Sequence, residues 1–159
     1  VRDFLKTRIA SRAGELVTVG GKVVGMHEGA QYFTIGQRHG IGSQGGGTPY
    51  FVVEKQLATN TVIVAEGDND PKLYRCDVLL TDVHWISGQT PSLPLACMAR
   101  IRYRQPLEEV LVTPSFSPLC KGEGEGVIVR FKNPQRAVTP GQACVFYDGE
   151  RMLGGGVIC

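Results

Sequence analysis

The stretch A-C-M-A-R-I-R-Y-R, residues 96–104, alternates between two kinds of side chain. One set comprises Cys97, Ala99, Ile101 and Tyr103, and the other comprises Met98, Arg100, Arg102 and Arg104. A period of two is the period of a β-strand, in which successive side chains point to opposite faces. The stretch therefore predicts a strand with one apolar face and one face that bears a row of arginines.

The arginine row allows two interpretations. Residues on the same face of a strand lie about 6.6 to 6.8 Å apart, so Arg100, Arg102 and Arg104 would present guanidinium groups at a spacing suited to phosphates. Alternatively, Glu108 and Glu109 follow a predicted turn and would pair with the arginines across a hairpin. The stretch by itself favours neither interpretation.

Strands of the same period are expected throughout the second half of the chain. Together with 96–104 they are predicted at 78–86, 109–113, 126–131, 142–147 and 151–158. Turn signals separate these short strands, and closure of such a set into a barrel removes its exposed edges. We therefore expect a small closed barrel at residues 73–159.

The first half of the chain predicts a smaller β domain at residues 1–72. Its strands are expected at 15–19, 22–27, 32–35, 50–57 and 61–65, after a short helix at 1–10. Gly20-Gly21 would form a hairpin turn, and the polar segment G-D-N-D-P-K at 67–72 marks the domain boundary. Glycine makes up 21 of 159 residues, about 13% against a usual 7%, which favours an all-β protein. Because no initiator Met or helix cap precedes Val1, we expect a larger parent protein.

Charge and cysteine content restrict the function. Seventeen Lys and Arg against fifteen Asp and Glu leave a net charge of +2, so binding to a polyanion must rely on local patches. Five cysteines without a C-x-x-C pair predict neither a disulfide framework nor a zinc site, and they favour a reduced, cytoplasmic protein. The absence of an apolar run of about 18 residues predicts no membrane span. No metal-binding or catalytic motif is recognised in the sequence.

A glycine-rich loop, Y-F-T-I-G-Q-R-H-G-I-G at 32–42, is the first candidate for a ligand site. Its glycines allow a backbone to approach a ligand closely, and Gln37, Arg38 and His39 would complete an anion site. The segment 40–45 also matches the dinucleotide pattern G-x-G-x-x-G. However, G-G-T-P follows and leads into a strand, so no helix can present its N-terminus to a phosphate. We therefore expect no nucleotide in this loop.

Two turns and a glycine run are predicted in the barrel. A basic group flanks N-P at 133–134, and a solvated hairpin tip is its favoured interpretation. This basic group consists of Arg130, Lys132 and Arg136. T-P-G-Q at 139–142 fits a type II turn that would present Gln142 at a strand start. G-G-G at 154–156 predicts a place where strands approach closely.

Five motifs together resemble those of a known family. They are Y-F-T-I-G-Q-R-H-G-I-G at 32–42, P-Y-F-V-V-E-K at 49–55, R-Y-R-Q at 102–105, A-V-T-P-G-Q-A at 137–143 and G-G-G at 154–156. In this order and at this spacing they resemble the bacterial tRNA 2-thiouridylases, over nearly the whole chain.

The resemblance implies a three-part enzyme, of which this chain would be the central domain and a C-terminal six-stranded barrel similar to domain 2 of elongation factor Tu. The absent part would be an N-terminal pyrophosphatase domain, in which ATP activates the C2 oxygen of the wobble uridine, U34. A cysteine persulfide there would deliver sulfur supplied by a sulfur-relay donor protein. None of the five cysteines of this chain would take that role. The chain alone would hold no cofactor and would be inactive.

The resemblance also implies contacts with tRNA. Arg102 and Tyr103 of R-Y-R-Q, together with Gln142 after T-P-G, would approach the RNA, and this favours the phosphate-binding interpretation. Arg100 and Arg104 are candidates beside them. Strict alternation would point Tyr103 to the apolar face, so its role requires a twist at the strand end.

Arg38 and His39 are further candidates, either for the RNA or for the absent domain. Two other functions remain open at this point. One is a translation-factor-like barrel that binds RNA or protein outside any enzyme, which the absence of an upstream pyrophosphatase loop would favour. The other is a self-contained small-molecule enzyme that uses Arg38 and His39, which would bind nucleotides measurably.

Overall fold

A computed structural model describes residues 7–41, 47–115 and 126–159. The chain forms two compact units, Val1–Leu73 and Tyr74–Cys159, divided one residue after the boundary expected from the sequence. The described residues form strands, turns and bends with two single-turn 3₁₀ segments, so the all-β prediction is confirmed. No helix within these ranges is long and apolar enough to cross a membrane.

The first unit is built on a mixed sheet. Its described strands are β1 Gly14–Thr18, β2 Val23–His27, β3 Tyr50–Gln56 and β4 Thr61–Glu66, in the order β2-β1-β4-β3. β1 and β2 form the predicted hairpin, with Gly21 at a φ of 86° in its turn. β1 is parallel to β4, and β4 is antiparallel to β3. Leu16, Val62 and Val64 are buried at the centre of this sheet.

The strand predicted at 32–35 is wrong. Ala30–Tyr32 form a 3₁₀ turn, and the chain turns again at Gly36, whose φ of 81° is left-handed. Tyr32 and Phe33 are nevertheless buried, since both pack in the core of the unit. The apolar run in the sequence therefore reflects burial of individual side chains and not pairing of a strand. The helix predicted at 1–10 lies mainly outside the described residues, and its described end is a turn and a bend.

The second unit is a closed barrel. Its described strands are β5 Tyr74–Trp85, β6 Leu95–Arg100, β7 Glu108–Ser115, β8 Gly126–Arg136, β9 Ala143–Asp148 and β10 Arg151–Ile158. These six close in the order β10-β5-β8-β7-β6-β9, and every neighbouring pair is antiparallel. Alternate side chains, among them Val129, Phe131 and Phe146, fill the interior. The predicted six-stranded barrel is confirmed.

The glycine run at 154–156 allows β10 to lie close to both of its neighbours. A Cβ on Gly154 would be 2.2 Å from the carbonyl oxygen of His84 in β5. A Cβ on Gly155 would be 2.5 Å from the carbonyl oxygen of Cys144 in β9. Side chains at these positions would collide with backbone, so the predicted close approach of strands is confirmed.

The turn predicted at 133–134 is wrong, because β8 continues through it. Two of the basic side chains of β8 pair with carboxylates on neighbouring strands. Arg130 Nε donates to Asp77 Oδ1 at 2.7 Å, and Lys132 Nζ donates to Glu109 Oε2 at 2.9 Å. The hydrogen bond from Arg130 lowers the pKa of Asp77. Because all four side chains are largely exposed, these pairs add little to stability.

The reduced state predicted for the cysteines is wrong at one position. Cys159 is disulfide-bonded, whereas Cys76, Cys97 and Cys144 are free. An odd number of cysteines means that they cannot all be paired in disulfides, but it is compatible with a single disulfide. Such a bridge needs no recognisable spacing in the sequence.

Candidate nucleic-acid interface

β6 ends four residues earlier than the sequence predicted. Strand pairing stops at Arg100, and residues 101–105 form a turn in which the Gln105 N–H donates to the Arg102 carbonyl oxygen at 3.1 Å. The Gln105 side chain also accepts the Ile101 N–H at 3.3 Å, which holds the turn in place. The predicted row of three arginines on one strand face is therefore wrong.

The turn changes the direction in which its side chains point. Tyr103 is 83% exposed, although alternation along a strand would have directed it inward. Arg102 Nη2 donates to the carbonyl oxygen of Ala137 at 3.0 Å, and Arg104 is exposed. Tyr103 therefore points outward because the strand has already ended at Arg100, and no twist of the strand is needed.

The alternative pairing of the arginines with the hairpin glutamates is also wrong. Glu109 accepts a hydrogen bond from Lys132, and Glu108 accepts one from Asn133 Nδ2 at 2.8 Å. Both carboxylates are thus engaged with β8. Among the described residues, neither forms an ion pair with Arg102 or Arg104.

Four of the predicted residues line a single groove of about 460 Å³ on the barrel, which we call the β6–β9 groove. They are Arg100, Arg102, Tyr103 and Gln142. The predicted turn at 139–142 brings Gln142 there, since Gly141 has a φ of 85° and the Gln142 N–H donates to Thr139 O at 3.3 Å. Arg104 does not line the groove.

Two tyrosines surround the guanidinium group of Arg100. It lies 5.0 Å from the ring centre of Tyr147 and 6.0 Å from that of Tyr103, and its Nη2 donates to the Tyr147 hydroxyl at 2.8 Å. These contacts hold a planar cation in one orientation before any ligand arrives. Sequence reasoning missed Tyr147, although its outward position follows from the alternation of β9 around the buried Phe146.

Gln142 carries an unused acceptor in this groove. Its backbone is fixed to β10, because its carbonyl oxygen accepts the Ile158 N–H at 2.8 Å. Its side-chain Oε1 is buried, yet has no hydrogen-bond partner among the described residues. Leaving a buried acceptor unpaired costs about 1 to 3 kcal/mol. Because Oε1 is closed to solvent, a ligand that donates a hydrogen bond would recover this energy once the Gln142 side chain turns into the groove.

The glycine-rich loop of the first unit uses its polar groups internally. Gln37 Oε1 accepts the Thr34 N–H at 3.0 Å, and Gln37 Nε2 donates to His39 O at 2.7 Å. The Gln37 carbonyl accepts the Val52 N–H at 3.0 Å. Gln37 is thus engaged within the loop, which corrects its assignment to an anion site. Arg38 and His39 are exposed, and the loop's last predicted residue, 42, lies outside the described residues.

Asn60 and His27 support the base of this loop, and sequence reasoning missed both roles. Asn60 Oδ1 accepts the Ala30 N–H at 3.0 Å, and its Nδ2 donates to two carbonyl oxygens at 2.9 Å. His27 Nδ1 accepts the Gly29 N–H at 3.0 Å, and burial lowers the pKa of His27 although the Glu15 backbone opposes this shift. In the described part of the chain, no cluster of three His, Cys, Asp or Glu could hold a metal.

Comparisons with known proteins agree with the motifs. The family model described as "tRNA methyl transferase PRC-barrel domain" matches residues 2–66, and that described as "Aminomethyltransferase beta-barrel domain" matches 75–158. The chain is 45% identical to the tRNA-specific 2-thiouridylase MnmA of Geobacillus thermodenitrificans and 42% identical to those of Shouchella clausii and Yersinia pestis. These matches cover 99% of the chain and 40 to 42% of the relatives. The chain therefore belongs to the tRNA-specific 2-thiouridylase family, and it spans about two fifths of the length of these curated relatives.

Proposed function

We propose that this chain is the tRNA-docking part of a tRNA-uridine 2-sulfurtransferase, and that the β6–β9 groove is its RNA-binding surface. The unpartnered Gln142 Oε1, beside two guanidinium groups and an exposed tyrosine, is the observation that carries this proposal. The relatives named above are tRNA-specific 2-thiouridylases, and this supports tRNA as the ligand.

Four side chains of the groove each match one part of an RNA strand. Arg100 and Arg102 would bind phosphate oxygens and set the position of the RNA. The exposed ring of Tyr103 would stack on an unpaired base, as aromatic side chains do in single-stranded RNA recognition. After the Gln142 side chain turns toward the RNA, its Oε1 would accept a hydrogen bond from a base amino group or a ribose 2′-hydroxyl.

The chemistry of the reaction belongs, in this proposal, to a domain outside this chain. That domain would use ATP and a cysteine persulfide, supplied by a sulfur-relay donor protein, to thiolate C2 of U34 in the cytoplasm. Arg38 and His39 would form a second contact, either with tRNA or with that domain. We expect the chain alone to show neither ATP hydrolysis nor sulfur transfer, and a phosphate-release assay together with an assay of thiolated tRNA checks both expectations.

The salt dependence of tRNA binding tests the proposal. One phosphate contact contributes about one unit to the slope of log K against log salt concentration. We therefore expect Arg102→Ala to reduce both affinity and slope, the latter by about one unit. Arg104→Ala is the matched control, because this arginine lies in the same turn but outside the groove. An Arg102→Ala protein that is folded but keeps the parent slope would contradict the proposal.

A further inference from the structure

A second cavity, of about 560 Å³, lies at one end of the barrel. It is formed where β5 and β9 end and where β6 and β10 begin, and it shares no lining residue with the β6–β9 groove. Its apolar part includes Trp85, Leu95 and Leu153. The Trp85 ring stacks on the core residue Phe146 with ring centres 5.2 Å apart, so this wall of the cavity is fixed. The volume is in the range of about 300 to 1,000 Å³ that is usual for small-molecule sites.

Two opposite charges also line this cavity. Asp148 and Arg151 are cross-strand partners at the β9–β10 hairpin, so their Cβ atoms lie about 4.5 to 5.5 Å apart. Within the described ranges the two do not form an ion pair, and each remains available to another partner. The negative charge of Asp148 reaches into the cavity, where Cys97 forms part of the wall. Burial, and to a lesser extent this charge, raise the pKa of Cys97 to about 11.

We propose that this cavity binds a free amino acid with a large apolar side chain, with its ammonium group on Asp148 and its carboxylate on Arg151. The ligand would carry both charges on one carbon atom, which matches two opposite charges on neighbouring strands. Its side chain would occupy the apolar space beside Trp85 and Leu95. A ligand with a single charge would leave Asp148 or Arg151 without a partner. This site is independent of RNA docking in the β6–β9 groove.

Trp85 is the only tryptophan of the chain, so its fluorescence reports on this cavity directly. We expect a saturable change on titration with L-leucine. Three probes each lack one part of the ligand: 4-methylpentanoate has no ammonium group, 3-methylbutylamine has no carboxylate, and glycine has no side chain. Because Asp148 and Arg151 are exposed, each charged contact is screened by solvent, and the first two probes should bind about fivefold more weakly. Glycine should give no saturable change.

Variants at the hairpin complete the test. Asp148→Asn and Arg151→Gln should each weaken L-leucine binding about fivefold, because both side chains are exposed. Glu150→Gln is the matched control, because Glu150 is an exposed carboxylate of the same hairpin turn that does not line the cavity. Circular dichroism identifies variants that remain folded. The proposal would be overturned if L-leucine produced no saturable change, if it bound no better than 4-methylpentanoate and 3-methylbutylamine, or if folded Asp148→Asn bound L-leucine as the parent does.

Discussion

The β6–β9 groove and the glycine-rich loop contain the same kinds of residue, but they use them differently. In the loop, both ends of the Gln37 carboxamide bond to the loop's own backbone. In the groove, Gln142 Oε1 is buried without a partner among the described residues. The side chain of Gln37 therefore holds the loop in its conformation. In the groove, the side-chain oxygen of Gln142 has a free acceptor position with respect to the described residues. Two glutamines of one type therefore differ in whether their side-chain oxygen already has a partner.

The basic residues of the two regions differ in the same way. Arg100 is held by Tyr147 and lies near Tyr103, so its guanidinium group is oriented before binding. Arg38 and His39 are exposed at the surface of their loop. A preorganised cation loses less conformational entropy when it binds a phosphate. This contrast supports the proposal that RNA binds in the groove.

The largest expected effect on tRNA binding is at Tyr103 in the groove. Replacement by Ala removes a stacking surface and should weaken tRNA binding by about 1 to 3 kcal/mol, or about 5- to 150-fold. Because Tyr103 is 83% exposed, the stability of the barrel should hardly change. Tyr103→Phe retains the ring and should bind tRNA nearly as the parent does. Filter binding with both variants measures the effect, and equal losses for Ala and Phe would refute stacking.

A second effect is expected in the loop. Gln37→Ala removes two side-chain hydrogen bonds and should lower the free energy of local opening by about 2 kcal/mol. Hydrogen exchange at the Val52 amide measures this opening, because that N–H donates to the Gln37 carbonyl. Arg38→Ala changes an exposed neighbour and should leave the exchange unchanged. If Val52 exchanged equally in all three proteins, Gln37 would have no role in holding the loop.

Replacing the glutamine of the groove should have the opposite effect on stability. Gln142→Met keeps the length of the side chain but removes the unpaired acceptor, so the barrel should be as stable as the parent or more stable by about 1 kcal/mol. Its tRNA affinity should fall at the same time. Urea unfolding followed by the fluorescence of Trp85 measures the stability. A clear loss of stability would mean that Gln142 Oε1 serves the fold and not a ligand.

The smallest effect is one of pH and concerns the base of the loop. Because burial lowers the pKa of His27 in the folded protein, the unfolded chain takes up the proton more readily. The contribution of neutral His27 to the free energy of unfolding of the first unit should therefore be fully present above the ordinary histidine pKa of about 6.5. It should decline as the pH falls below that value. Hydrogen exchange at the Gly29 amide, which donates to His27, can follow the decline. The decline at low pH should persist in His39→Gln and should be smaller in His27→Gln.

Much of the architecture was predictable because it depends on local periodicity and local backbone geometry. The alternation in β7, β9 and β10 identifies these strands, since an inward side chain every second residue is all that a barrel wall requires. The turn at 139–142 was predictable for a similar reason, because it needs a glycine with positive φ after a proline. Alternation was misleading at 101–104, where it continues beyond the end of the paired strand.

The all-β class, the six-stranded barrel and the motifs of the family could be predicted from the sequence, as could four groove residues, Arg100, Arg102, Tyr103 and Gln142. The fold was needed to show that β6 ends at Arg100, that Tyr147 lines the groove, and that Gln37 is engaged within its own loop. The physical reason is the range of the interactions involved. Strand and turn preferences act between neighbours in sequence, whereas the end of a strand and the satisfaction of a buried polar atom depend on partners brought together by the fold.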